Sequence, residues 1–436
     1  MKDRGVRIIG SGCAGMGAAW RLSQEDVQPV VYEALDRPGG HTCTHTFDDG
    51  FVFDEGPHIS FTKIDRIKDL FADSVDNKYE AFSANVNNYW KGHWIKHPAQ
   101  VNLNGLPTDL TVKCIQDFFH AQNNDYGPIK NYQDWLYASF GTTFADTFPG
   151  QYTKKYHTTS AENLTTDWLG PRLYQPDMAE VLKGALTSET ENVHYIPNFR
   201  YPATGGYVSY LKKFQDLSDI KLNHKVIEID ARAKTLNFAN GSTAGYDALV
   251  SSVPLPALIP LIQDVPERVK AAAARLSCSR TVLVNIGLKL EEITDQHWTY
   301  FYDDEFPFSR LSFPHKYARS NVPDGACSIQ AEIYFSDKYK PLTGHADDWI
   351  EPTIKCLMRC GLIKDREDII HTSTLFAPWG NVIFDHDRPE ALKTVHDFLD
   401  ENGVNYCGRY GDWAYIWTDE SFISGENAAE KALAKL

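Results

Sequence analysis

The glycines of Gly10-Ser11-Gly12-Cys13-Ala14-Gly15 stand at the spacing with which a backbone closes on a pyrophosphate. Gly10 lets the chain turn sharply, Gly12 lets it approach phosphate oxygens, and Gly15 lets the following helix pack close to a sheet. A helix that opens at Cys13 and Ala14 then turns its free N–H groups toward the anion. Glu33 closes the apolar run Val30-Val31-Tyr32, where a carboxylate accepts hydrogen bonds from ribose hydroxyls; an extra 2′-phosphate would ask for an arginine there. Beyond Ala34, a second glycine pair, Gly39-Gly40, lies between Arg37 and His41 and again permits backbone close to a ligand. All of these groups bind; none reacts. Neither a Ser-His-Asp set nor metal-ligand spacing stands out, which fits chemistry carried by a cofactor with no metal.

Side chains able to hold or move charge follow at long intervals. His58, in the tight Gly56-Pro57-His58 turn, can relay a proton or simply bond the backbone. Arg310 lies between Phe308 and Phe313, and an arginine among aromatics needs an anionic partner. Arg409, in Gly408-Arg409-Tyr410-Gly411, can face a cofactor phosphate or an anionic substrate. Tyr415 and Trp413 are candidates for a pocket wall, and Tyr152, Lys154 and Trp168 for clamping a substrate head group. Asp419 stands at the start of the last helix, where it either caps or faces a ligand.

The elements that must bring these residues together are spread over 436 residues, too many for one compact core. An apolar fraction of 42% with 13% aromatics is that of a folded protein. A formal net charge of -15 makes nucleic acid a poor partner and leaves a small molecule, anionic if a local arginine cluster works against the global field. The eight cysteines are scattered, which suits a reducing, cytoplasmic setting, and Cys356-x-x-x-Cys360 reads as two buried helix cysteines. No apolar stretch is long enough to span a bilayer. Strand patterning is expected at Val6 to Ile9 and Val30 to Tyr32, in a hairpin from Thr42 to Asp54, in a meander from Leu222 to Val250, and in a second antiparallel sheet from Thr281 to Phe335. Residues 133–140 and 160–173 read as helices, the latter capped by Ser160, and Ser424 to Leu436 as a closing helix.

These segments add up to a resemblance. Gly10-x-Gly12-x-x-Gly15, Glu33, Arg37-x-Gly39-Gly40, Asp54-x-Gly56-x-His58, the loop at Pro202 and Gly205-Gly206, and the stretch from Gly408-Arg409 to Ala429 resemble FAD-dependent enzymes of the protoporphyrinogen oxidase and amine oxidase type. Within that group the chain most resembles UDP-galactopyranose mutase and its oxidoreductase relatives. Gly56-Pro57-His58-Ile59 is similar to the mutase histidine loop, Tyr152-Thr153-Lys154-Lys155 to YTxK, Pro307-Phe308-Ser309-Arg310 to PYTR, and Gly408 to Tyr415 to GRxGxYxY. It departs where a second loop histidine gives way to Phe61 and where YTxKxWG becomes Tyr152-Thr153-Lys154-Lys155-Tyr156-His157. Asp167 to Arg172 and Ser328 to Phe335 look more like the oxidoreductase relatives.

The resemblance implies an α/β fold: a Rossmann-like FAD-binding domain of the glutathione reductase type (1–64, 201–280 and 375–436), a mainly helical insert (65–200), and an antiparallel-sheet substrate domain (281–374). It implies FAD as cofactor, with Val226, Thr418 and Asp419 joining the cofactor residues above, His58 beside the isoalloxazine, and Arg310 on a diphosphate or carboxylate. The leading implied activity is oxidation of a small polar substrate, a sugar or nucleotide sugar, by hydride transfer to flavin N5. The alternative is a redox-neutral UDP-sugar pyranose/furanose mutase that uses reduced FAD as nucleophile. A scaffold that has lost its chemistry would be expected to lose these glycines first.

Overall fold

A computed structural model describes residues 5–25, 27–124 and 127–436. The strand Val6–Ile9 is the centre of a five-stranded parallel sheet ordered Val404–Tyr406, Ala248–Ser251, Val6–Ile9, Val30–Tyr32, Asp219–Lys221. Its apolar runs are buried along their length, as strands covered on both faces require. The helix Cys13–Ser23 follows the first strand, and the last helix, Thr418–Leu433, packs against it. Small residues set that contact: a Cβ on Gly425 would lie 1.9 Å from the Ala14 carbonyl oxygen, and one on Gly17 would lie 2.0 Å from that of Phe422. The expected hairpin forms from Thr44–Thr46 and Val52–Asp54, and the meander from Val226–Asp230, Thr235–Phe238 and Thr243–Gly245.

A seven-stranded sheet runs Ile369–Ala377, Arg280–Leu288, Cys327–Phe335, Arg310–Ser312, Trp298–Phe301, Val86–Trp90, His93–Lys96. It is antiparallel except where Trp298–Phe301 pairs with Val86–Trp90. Its period of two divides the side chains. Val282, Val284 and Ile286 with Ile329, Ala331 and Ile333 enter one apolar core. The intervening Asn285, Ser328, Gln330 and Glu332 are equally buried on the other face. A buried polar face needs partners, and it is on this side that the candidate site lies.

Several expectations are corrected. The segment 65–200 carries helices, among them Thr108–Asn123, Tyr132–Phe140 and Pro149–Tyr156, but also Tyr79–Ser83 and the two strands that complete the large sheet. Asn87 and Asn88 interrupt the alternation by which Val86–Trp90 would be recognised. Between Ser160 and Leu173 only the short turns Ala161–Asn163 and Gly170–Arg172 form, because Leu164 is extended and pairs with Asp385 while Thr165 N–H donates to the Phe384 carbonyl at 2.8 Å; no side-chain cap forms at Ser160. The boundary expected at 374 falls inside the strand Ile369–Ala377, and the closing helix is Thr418–Leu433, which puts Asp419 in its first turn as expected and starts it before the Ser424 of the alanine-rich segment. Cys356 and Cys360 are half-buried free thiols rather than buried ones. Among the described residues no helix is long and apolar enough to cross a membrane.

Candidate active site

The phosphate loop is held from two sides. Gly10 N–H donates to the Tyr32 carbonyl at 2.8 Å, and Gly39 N–H to that of Ser11 at 3.2 Å. This sets the two glycine loops face to face, so that a Cβ on Gly40 would stand 3.0 Å from Gly12 Cα. The Glu33 carboxylate is fixed beside them: Oε2 accepts from Ser11 N–H at 3.0 Å and Ser11 Oγ at 2.6 Å, and Oε1 from Leu35 N–H at 3.0 Å. The helix Cys13–Ser23 has no side-chain cap at its start, and its first N–H groups suit an anion. Bare glycine backbone, an uncapped helix start and a fixed carboxylate are what the pyrophosphate and ribose of FAD require, and these residues fit it.

The other expected cofactor residues divide. Gly15 sits against Gly10, a Cβ there meeting its carbonyl at 1.9 Å, and Gly408 against the Ala14 side chain at 2.6 Å. Cys13 contributes backbone only, since its thiol donates to the Thr418 carbonyl at 3.0 Å and burial pushes its pKa up. Ala34 and Arg37 are exposed, with Arg37 3.1 Å from Asp36. Val226 is a core residue, 6% exposed and paired with Phe238; its link to the loop is indirect, through His224 N–H on the Glu33 carbonyl at 2.7 Å. Thr418 Oγ1 lies 2.6 Å from the Tyr207 hydroxyl. His58, in the Gly56-Pro57 turn, holds the Gly56 carbonyl through Nδ1 at 3.0 Å, and its ring meets those of His41 and Tyr207. Removal from solvent, helped by nearby His41 and Arg409, brings its pKa down to about 3, so the imidazole is neutral. Arg409 braces its own loop, Nε and Nη2 donating to the Ile416 carbonyl at 2.9 and 2.7 Å and Nη1 to Asn381 at 3.3 Å. Its partners are neutral, so its charge is not matched by a carboxylate among the described residues.

Next to the start of the last helix lies a cavity of about 550 Å³ lined by Phe61 to Ile64, Asp419, Glu420, Trp417 and eight tyrosines. Arg310 is on its wall. Directly opposite across the strand pair, Glu332 receives Arg310 Nε at 2.6 Å and Nη2 at 2.9 Å. Burial works against the guanidinium, but Glu332 and the surrounding phenols keep it charged. The anion expected for Arg310 is therefore supplied from within the chain. Tyr152 and Tyr156, one helical turn apart on Pro149–Tyr156, stack at 5.2 Å, and the Tyr156 hydroxyl meets that of Tyr415 at 2.5 Å. Burial raises the pKa of Tyr152, Tyr156 and Tyr300, which keeps these phenols protonated. Trp168 lines the cavity too, its Nε1 donating to the Thr165 carbonyl at 2.9 Å.

Two expected substrate residues are corrected. Lys154 points to solvent, because a helix that turns positions 152 and 156 inward turns 154 outward. Its neighbour Lys155 is the buried one, donating to the carbonyls of Phe301 at 3.1 Å and Asp303 at 2.9 Å. Trp413 is wholly buried against Trp379 and lines no part of the cavity, its carbonyl held by Arg388.

The sequence did not single out Arg172. It lies over Tyr415 at 4.5 Å and Trp417 at 4.4 Å, and Nη1 donates to the Trp168 carbonyl at 3.0 Å. Nη2 donates to that of Tyr415. Its Nε is buried with no partner, and no carboxylate among the described residues pairs with it. Glu332 was equally hidden, since only strand register puts it opposite Arg310.

A parallel dinucleotide fold, its glycine loops drawn from both ends of the chain and an aromatic cavity beside the last helix together define an FAD-binding enzyme. The flavin containing amine oxidoreductase family matches residues 13–316, and the chain belongs to it; FAD is its cofactor, as the resemblance implied. A solved structure of reduced UDP-galactopyranose mutase superposes with a TM-score of 0.94 at 25% identity, covering 100% of this chain and 94% of the mutase. Curated relatives match over shorter stretches. Phytoene desaturase (neurosporene-forming) of Rhodobacter capsulatus is 42% identical over 66 residues, 15% of this chain and 12% of the relative. A 1-hydroxycarotenoid 3,4-desaturase of a Flavobacterium species is 34% identical over 122 residues, 27% of this chain and 23% of that protein.

Proposed function

We propose that this FAD-dependent enzyme oxidises a small, hydroxyl-rich substrate that carries an anionic group, of the nucleotide-sugar class. The observation that supports it is Arg172: a guanidinium on the cavity wall, stacked over two aromatic rings, with no carboxylate among the described residues to neutralise it. Such a group binds a diphosphate or carboxylate with charge-assisted hydrogen bonds. The hydroxyls of Tyr152 and Tyr195, which have no hydrogen-bond partner among the described residues, argue for a polar ligand, because an apolar polyene would strip them of water and replace nothing. When bound, FAD supplies the acceptor for a hydride removed from a substrate C–H bond. In this reading Arg172 fixes the anionic end, the Tyr156 and Tyr415 hydroxyl pair orients substrate oxygens, and the Glu332-bound Arg310 gives the wall a fixed set of donors. The neutral His58 has a single N–H, which it donates to the Gly56 carbonyl, so it holds its own turn.

Anaerobic mixing of the FAD-loaded protein with a panel of UDP-sugars and amines should bleach the flavin absorbance with at least one UDP-sugar. The Arg172→Ala variant should keep the FAD spectrum and need roughly ten- to a hundredfold more substrate for half-maximal bleaching, the loss of one or two charge-assisted bonds. Bleaching by amines only would overturn the substrate class. The likeness to the mutase over the whole chain favours a second reading, redox-neutral ring isomerisation. In that case UDP-galactose would be converted only after dithionite reduction, with no net change in flavin state.

A further inference from the structure

His157 ends the helix Pro149–Tyr156, its backbone N–H donating to the Thr153 carbonyl at 2.8 Å, and it lines the cavity while only 3% exposed. Its ring is clamped, 5.0 Å from Tyr156 and 5.0 Å from Trp168. The following Thr158 anchors the turn by bonding Ser336 Oγ at 2.7 Å. Yet neither ring nitrogen has a hydrogen-bond partner among the described residues. Nδ1 is sealed inside the protein, so Nε2 is the nitrogen left at the cavity surface. Burial, with no charged neighbour contributing, lowers its pKa to about 3, which leaves one proton on the ring. Placed on Nδ1, that proton would be an N–H that no acceptor can reach; placed on Nε2, it faces the space a ligand enters.

Building on the nucleotide-sugar reading, we infer that His157 is a specificity-determining residue whose Nε2–H donates to an oxygen of the sugar moiety. It is a neutral counterpart to Arg172: the arginine takes the charged end of the ligand and the imidazole takes an uncharged oxygen. A site built around a donor rejects ligands that lack the matching acceptor, because its own buried group is then left unpaired.

The test uses the FAD-loaded wild type with His157→Gln and His157→Phe, each checked for FAD content and melting temperature. UDP and UDP-galactose are titrated against tryptophan fluorescence. UDP should bind all three proteins equally. UDP-galactose should bind His157→Phe about tenfold more weakly, with His157→Gln, which keeps an N–H donor, restoring most of the loss. Equal UDP-galactose affinity in all three overturns the inference. Nitrogen-15 spectra of histidine-labelled wild type give a second decision that needs no ligand: the Nε2–H tautomer at pH 7 supports it, while an Nδ1–H tautomer or an imidazolium overturns it. If neither nucleotide binds the wild type, the nucleotide-sugar reading falls and the tautomer still decides the role of His157.

Discussion

Lys155 shows how far a single position reaches in this protein. Its ammonium group is buried under the end of the strand Trp298–Phe301, held by two backbone carbonyls, and burial lowers its pKa from 10.5 to about 7. The unfolded chain therefore binds more protons than the folded one between pH 7 and 10.5, and stability must rise with pH across that window. Lys155→Met should remove that rise, on the order of 3 kcal/mol, so that urea midpoints measured at pH 7 and pH 10 converge. A variant that keeps the wild-type rise would show that another group titrates there. The same residue marks the limit of what spacing reveals. The helix turn that hides Lys155 exposes Lys154, and the two are equivalent as letters until the helix phase is known. Arg310 was recognisable as an arginine that needs an anion, but its anion, Glu332, is in reach only through strand pairing. His157 was legible only as a departure from a pattern, and its missing hydrogen bonds belong to the folded state.

At the scale of elements, the two helices that flank the phosphate loop cross so closely that no side chain fits between them at Gly17 and Gly425. In an exposed helix, Gly→Ala gains about 1 kcal/mol in propensity. Here the added Cβ of Gly425→Ala would press on the Ala14 carbonyl, and overpacking of this kind costs about 1 to 3 kcal/mol. The second term is expected to win. Gly425→Ala should melt several degrees lower and bind FAD more weakly, because the strain falls on the first turn of the phosphate helix; a higher melting temperature with normal FAD affinity would mean that the helices separate freely. Elements with one strong signal were legible: the glycine fingerprint, the Thr44 to Asp54 hairpin, and the long alternating strands Arg280–Leu288 and Cys327–Phe335. Elements without a signal of their own were not. Val86–Trp90 becomes a strand because a sheet edge is available to it, and Ser160 to Leu173 stays irregular because Leu164 and Thr165 pair in extended form with Asp385 and Phe384, far along the chain.

At the scale of the whole molecule, the residues that suit FAD come from the loop at Gly10, from Glu33, from Gly39-Gly40, from the His58 turn and from the far end at Gly408 and Thr418. Each has a chemical reason to be the residue it is, which made the cofactor legible across the chain. The cavity is different. Its walls come from the helical insert, the large sheet and the last helix, and it takes its character from the balance of Arg172, Arg310, Glu332 and phenols that no local pattern brings together. The same distribution predicts how the protein unfolds. A ligand held by segments near both termini would stabilise the assembly of all of them, by RT ln(1 + [FAD]/Kd), about 2.7 kcal/mol at a hundredfold excess over Kd. Stripping FAD should therefore lower the melting temperature by a few degrees, and adding FAD back should restore it along that logarithm. The shift should appear equally in the signal from the parallel sheet and from the aromatic cavity, since the last helix belongs to both. If the cavity tryptophans melt at an unchanged temperature while the secondary structure shifts, the cavity folds independently of the cofactor lobe.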